Sequence, residues 1–176
     1  MSALNSYKHL PFTFFGLDFT RSKMIGTQGF NDPQAIRDRL FYSWNLILHK
    51  EKVKFNLQEQ LNVREYYTMF DWCASNNRQI PVEGLVTDYQ YQLTEQDVIQ
   101  HVNNFQNVPG HGVGVVFVVE TLNKIGEVAI IWVTFFDIQS KQMLITTRRS
   151  GQPSGLGIRN YWANAIHKVI LSLRKF

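Results

Sequence analysis

The sequence predicts an α/β (α+β) fold, a mixed sheet of about five to six strands with helices on both faces, in the order β-α-β-α-β-α-β-β-β-α. Two observations lead there. Residues 113–149 hold three apolar runs, 113–121, 128–138 and 143–149, separated by short polar breaks, and read as three consecutive antiparallel strands. Ahead of them, extended segments alternate with amphipathic ones, the pattern of parallel crossovers, and behind them comes a closing helix.

The burial of the central strands follows from side-chain alternation. In residues 128–138, one face carries Val128, Ile130, Trp132, Thr134, Phe136 and Ile138, and the other carries Ala129, Ile131, Val133, Phe135 and Asp137. Both sets are apolar, so both faces need cover. Residues 113–121 repeat this, with Val115, Phe117 and Val119 opposed to Val116 and Val118. Glu120, Asn123, Lys124 and Glu127 interrupt the apolar run well short of the ~18 residues a membrane helix needs. Residues 143–149 are more polar and read as a strand nearer an edge.

Taken in order, residues 12–25 form the first extended segment, with Phe15, Leu17 and Phe19 alternating with Gly16, Asp18 and Thr20 and exposure rising towards Arg21. Asp32-Pro33 starts a helix that runs to about His49 on a stripe of Ile36, Leu40, Phe41, Trp44, Ile47 and Leu48. Residues 53–57 read as a short strand, and 63–74 as a helix with Tyr66, Met69, Phe70 and Cys73 on one face. Residues 82–91 return to extended structure. Thr94-Glu-Gln-Asp97 resembles a capping box ahead of a helix bearing Val98, Ile99, Val102 and Phe105. A Gly- and Pro-rich loop, 150–157, leads into a last helix from Ile158 to Arg174 with Ile158, Trp162, Ala165, Ile166, Val169, Ile170 and Leu173 inward.

The 176 residues suit a single domain, 1–176, with 1–10 as a flexible N-terminal segment. A net charge of +4 comes from scattered basic residues, which argues against a nucleic-acid face. Cys73 is the single cysteine, so an intrachain disulfide and a cysteine zinc cluster are excluded. Residues 1–10 lack the apolar core of a signal peptide. Two placements follow: cytoplasmic, or periplasmic and outer-membrane-associated if an export signal has been removed, with peripheral membrane association through a lost N-terminal anchor.

Chemistry has few candidates. Gly155-Leu-Gly157 opens the last helix, where free backbone N–H groups hold anions, and Arg148, Arg149 and Arg159 lie near it in sequence. The loop lacks the Lys-Ser or Lys-Thr of a P-loop and the third glycine of a dinucleotide fingerprint, and a tight strand-to-helix connection explains it better. Asp18 is a carboxylate inside an apolar strand, either a functional acid beside Thr20, Ser22 and Lys23 or a strand-end residue facing solvent. His9, His49, His101, His111 and His167 form no metal-binding spacing, and no cofactor or metal is expected. Cys73 reads as a buried small hydrophobe.

The segment Val133-Thr-Phe-Phe-Asp-Ile-Gln-Ser-Lys-Gln-Met-Leu-Ile-Thr-Thr-Arg-Arg-Ser-Gly, then Gly155-Leu-Gly-Ile-Arg-Asn-Tyr-Trp162 and an amphipathic helix, carries a resemblance. It resembles the strand, turn, strand, Gly-rich loop and helix that end small envelope domains: the TolB amino-terminal domain and the CsgG-like and LpoB-like lipoproteins. It also resembles an uncharacterised family of secreted or lipoprotein-type bacterial proteins with a similar Gly-x-Gly-x-Arg-Asn-Tyr-Trp segment. The likeness covers residues 113–176. It implies a non-catalytic cell-envelope domain that binds protein partners or assists assembly through loops and sheet edges, with no catalytic residues to carry over. The chain departs from that pattern in having no export signal or lipidation cysteine near residue 1. The competing expectations are a small-ligand or anion-binding domain at the last helix, and a hydrolase whose site is not evident in the sequence.

Overall fold

The computed structural model describes residues 4–175. Its seven strands form one sheet: β1 (Phe12–Asp18), β2 (Lys23–Ile25), β3 (Tyr66–Thr68), β4 (Val86–Thr87), β5 (Val113–Asn123), β6 (Val128–Asp137) and β7 (Met143–Gly151). β5 lies at the centre. It pairs antiparallel with β6, which pairs antiparallel with β7. On its other side β5 pairs in parallel with β1 and then, further along, with β2. β3 adds to β1 and β4 to β2, both in parallel. The sheet is mixed, with parallel crossovers at the front and a meander at the tail, as the alternation predicts.

The two faces of the central strands separate as their alternation requires. Val115, Phe117 and Val119 join Ile131, Val133 and Phe135 in a large core beneath two helices, α2 (Phe41–Lys50) and α6 (Ile158–Leu171). Val116 and Val118 join Trp132 and Phe136 in a smaller core under α5 (Glu95–Asn103) and Cys73 of α4 (Asp71–Asn77). α6 comes close enough to β7 that a Cβ on Gly151 would overlap the carbonyl oxygen of Ala165.

Both predicted helix starts are present. Asp32 accepts a bond from Ala35 N at 2.9 Å and Pro33 opens α1 (Pro33–Ala35), which passes through a π-helical turn, Ile36–Leu40, into α2. At α5 the Thr94 hydroxyl accepts from Asp97 N, and the Asp97 carboxylate accepts from Thr94 N at 2.8 Å, a complete capping box.

Four segments differ from their sequence pattern. Residues 12–25 split into β1 and β2, with Ser22 N bonded to Phe19 O in the intervening turn. Residues 53–57 form no strand: Val53 is almost fully exposed within a turn that starts at Glu51, and Asn56 caps the short α3 (Leu57–Leu61). Within 63–74, Tyr66–Thr68 is a strand, because β1 offers Phe12, Thr13 and Phe14 as a parallel ladder, and only Asp71 onwards is helical. Of residues 82–91 only β4 is strand. Of the N-terminal segment expected to be flexible, residues 1–3 lie outside the described residues; Leu4 is buried in the large core ahead of a 3-10 turn, Asn5–Tyr7.

Candidate functional site

The sheet divides the basic residues that surround the glycine loop in sequence. Arg148 stands opposite Trp132 and reaches across β6 to Glu120, with Nη2 at 2.7 Å from Oε1 and Nε at 3.1 Å from Oε2. Trp132 Nε1 donates to the same carboxylate at 2.8 Å. This trio lies on the α5 face, whereas α6 and its glycine loop lie on the other, so period-two alternation removes Arg148 from any site at the α6 start. Arg149, opposite Ile131, is on the α6 face. Arg159 Nε donates to Ser43 Oγ at 2.9 Å, and Trp44 Nε1 donates to the Arg159 carbonyl at 2.9 Å, which ties the α6 start to α2. Gly155 and Gly157 have φ of +96° and +77°, so both serve a sharp strand-to-helix turn.

Asp18 has a different setting. β1 carries a bulge between Phe14 and Gly16, where Gly16 has φ of +100°. The bulge shifts the alternation by one residue. Phe12, Phe14, Leu17 and Phe19 all face the large core, while Phe15 joins the smaller core and Asp18 turns the same way, towards α5. Two buried asparagines hold this stretch. Asn45 of α2 accepts from Leu17 N at 2.7 Å and donates to Leu17 O at 3.1 Å. Asn77 of α4 accepts from Phe19 N at 2.8 Å and donates to Leu17 O at 2.9 Å. Side chains from two helices thus complete an edge that β3, paired only to residues 12–14, leaves open.

The carboxylate so placed is 2% exposed and fully bonded. Oδ2 lies 2.7 Å from His101 Nε2, and Oδ1 accepts from the Thr20 hydroxyl at 2.6 Å and from Thr20 N at 2.9 Å. The Thr20 hydroxyl is also 3.2 Å from His101 Nε2. His101 sits three residues after Val98 and four before Phe105, on the buried stripe of α5, with its ring edge-on to Phe105 at 5.0 Å. Burial alone would push the Asp18 carboxyl up; the His101 bond and charge and the two Thr20 bonds outweigh it and hold it below the usual carboxylate range. Asp18 is therefore ionised near neutrality.

The ionised Asp18 carboxylate can only accept, so His101 donates to it through Nε2–H. The pair stands at the carboxyl end of a parallel strand, where open α/β sheets bind ligands. Cys73 is not an activated nucleophile for it: burial, and then the Asp18 charge, push its thiol well up. Asp18 stood out in the sequence because a carboxylate breaks an apolar strand. His101 did not, since a histidine within an amphipathic helix resembles any other. Among the described residues no three His, Cys, Asp or Glu side chains gather to hold a metal, and no helix is long and apolar enough to cross a membrane.

No protein-family profile and no curated protein matches the chain.

Proposed function

We propose that the chain is a non-catalytic cell-envelope domain that binds protein partners. The observation that carries this is an exposed apolar surface at two adjacent loop tips. Leu156 is 92% exposed, Ile125 of the β5–β6 turn is 68% exposed and Ile158 is 38% exposed. Ile158 lines a cavity of about 230 Å³ with Gly29, Lys124, Gly157, Tyr161 and Trp162, which include the chain neighbours of Ile125 and Leu156. A second cavity, of about 270 Å³, continues past Ile158 to Phe30, Ile36 and Leu40. Large apolar side chains grouped around a concavity are a usual mark of a protein contact. The tips are held in place: Lys124 lies 4.0 Å over the Tyr161 ring, and the Tyr161 hydroxyl donates to Glu127 at 2.9 Å. The envelope part of the reading rests on the likeness of residues 113–176 to envelope domains.

Photo-crosslinking in cells that express the native gene tests both parts. A crosslinker at Ser154, beside the patch, is expected to trap one partner in the envelope fraction, and Leu156→Ser with Ile125→Ser to abolish the adduct while the fold persists. An adduct unaffected by that double variant, or protein found only in the cytoplasmic fraction, contradicts the proposal.

The Asp18–His101 contact favours a second reading, a hydrolase in which Asp18 orients His101 as a general base. Turnover of p-nitrophenyl esters that disappears in His101→Gln supports it. Equal rates for the two proteins remove it.

A further inference from the structure

We propose that a cavity beside the first residues of β1 and β3 binds a small neutral aromatic compound carrying one hydroxyl or carbonyl group. The site is independent of the protein-binding reading and separate from both the Leu156 patch and the Asp18–His101 pair. Thr13 lies between Phe12 and Phe14, which face the large core, so its side chain points the other way. It is 4% exposed, and among the described residues its hydroxyl has no hydrogen-bond partner. The strand register leaves it none. Its neighbour on β3 is Tyr67, whose hydroxyl donates to Glu65 at 2.7 Å. Its neighbour on β5 is Gly114, and the Phe136 ring fills the space that a side chain there would take. A buried hydroxyl without a partner is costly and rare in native proteins.

What remains accessible of Thr13 opens on a cavity of about 460 Å³, whose walls include Pro11, Tyr67, Met69, Gly110 and His111. Sites for small molecules have volumes in this range, largely apolar walls and a few polar groups. Tyr67 and Met69 stay 52% and 42% exposed, large side chains that a flat apolar ligand would cover. The walls are already tied to the sheet. Met69 N donates to Phe14 O at 2.8 Å, Val113 N to Pro11 O at 2.9 Å and Ile138 N to Gly112 O at 3.0 Å. Binding therefore has little left to order. Among the described residues no Lys, Arg, Asp or Glu lines the cavity, so a charged ligand would leave water without gaining a counter-charge. The compound that fits is neutral, with its ring against Tyr67 and Met69 and its oxygen bonded to the Thr13 hydroxyl.

The probes are phenol and toluene, titrated into the isotope-labelled full chain and followed by amide shifts. Phenol should shift the amides of Thr13, Tyr67, Met69 and His111. It should bind roughly fivefold or more tightly than toluene, which offers the same ring without the oxygen. Thr13→Val keeps the shape of the side chain and removes the hydroxyl. It should erase that preference and hold or raise the melting temperature, because an unpaired polar group leaves the interior. Tyr67→Ala, at an exposed position, should weaken both probes by roughly threefold or more. Benzoate should bind more weakly than phenol. A preference for phenol that survives Thr13→Val, benzoate binding as tight as that of phenol, or shifts that do not saturate or that fall on other surfaces would overturn the proposal. So would a melting temperature that falls in Thr13→Val, since a protein partner would then already hold the hydroxyl.

Discussion

Oδ2 of Asp18 lies 2.7 Å from Nε2 of His101, 83 residues further along the chain. The contact pins α5 to the end of β1 and gives a carboxylate at 2% exposure the partner that its burial demands. Removing either side has unequal consequences. His101→Ala leaves a buried charge with only Thr20, a loss of about 3–5 kcal/mol. Asp18→Ala leaves the His101 and Thr20 donors unpaired, about 1–3 kcal/mol. Urea unfolding should therefore rank His101→Ala below Asp18→Ala; the reverse order would show that the pair does not carry the charge as described.

The same carboxylate makes stability depend on acid. Its folded-state pKa lies below that of an ordinary aspartate, so between the two values the unfolded chain binds the extra proton. The stabilisation is full above the unfolded value and is lost as pH falls through the folded one. The urea midpoint is expected to drop as pH is taken below about 3.8, and to drop less steeply in Asp18→Asn. Parallel slopes for the two proteins would assign the acid sensitivity to other carboxylates.

Gly16 is the residue on which the bulge depends. Its φ of +100° is costly for any side chain, and a Cβ would fall within the Asn45 carboxamide oxygen. Gly16→Ala should cost about 2 kcal/mol or more. It should also disturb the amide resonances of Leu17 and Phe19, which Asn45 and Asn77 hold. An Ala variant with native stability would mean that the phase shift in β1 is not built on this glycine.

Glu120, fully buried at the β5 bulge, has Arg148 and Trp132 as its partners. The Arg148 side chain is 41% exposed and can turn to water, whereas the carboxylate is 1% exposed and cannot. Arg148→Ala is expected to cost about 2–4 kcal/mol, and Glu120→Ala about 1–3 kcal/mol. Thermal melts of the two variants check the order, and a negligible Arg148→Ala effect would show that water substitutes for the guanidinium.

What was legible in the sequence was local. Val116 and Val118 separate from Val115 and Phe117 because neighbouring strand residues must face opposite ways. Asp32 and Thr94–Asp97 cap helices because their side-chain oxygens reach amides three residues away. The local pattern of Tyr66–Thr68 suits a helix, because its strand character is supplied by Phe12–Phe14, more than fifty residues away. The grouping of Arg148 with Arg159 failed for a related reason. Nearness along the chain says nothing about which face of a sheet a residue joins once a loop and a helix have crossed it.

By itself the sequence determined the fold class, the three central strands, the capped helices and the anomaly of a carboxylate in an apolar strand. Each follows from periodicity or from contacts within a few residues. The tertiary structure alone decided that the bulge at Gly16 turns Asp18 towards α5, that His101 meets it there, and that Glu120 draws Arg148 inwards over β6. Those outcomes depend on burial. A charge taken out of water must find a partner, and only the packed chain determines which one is within reach.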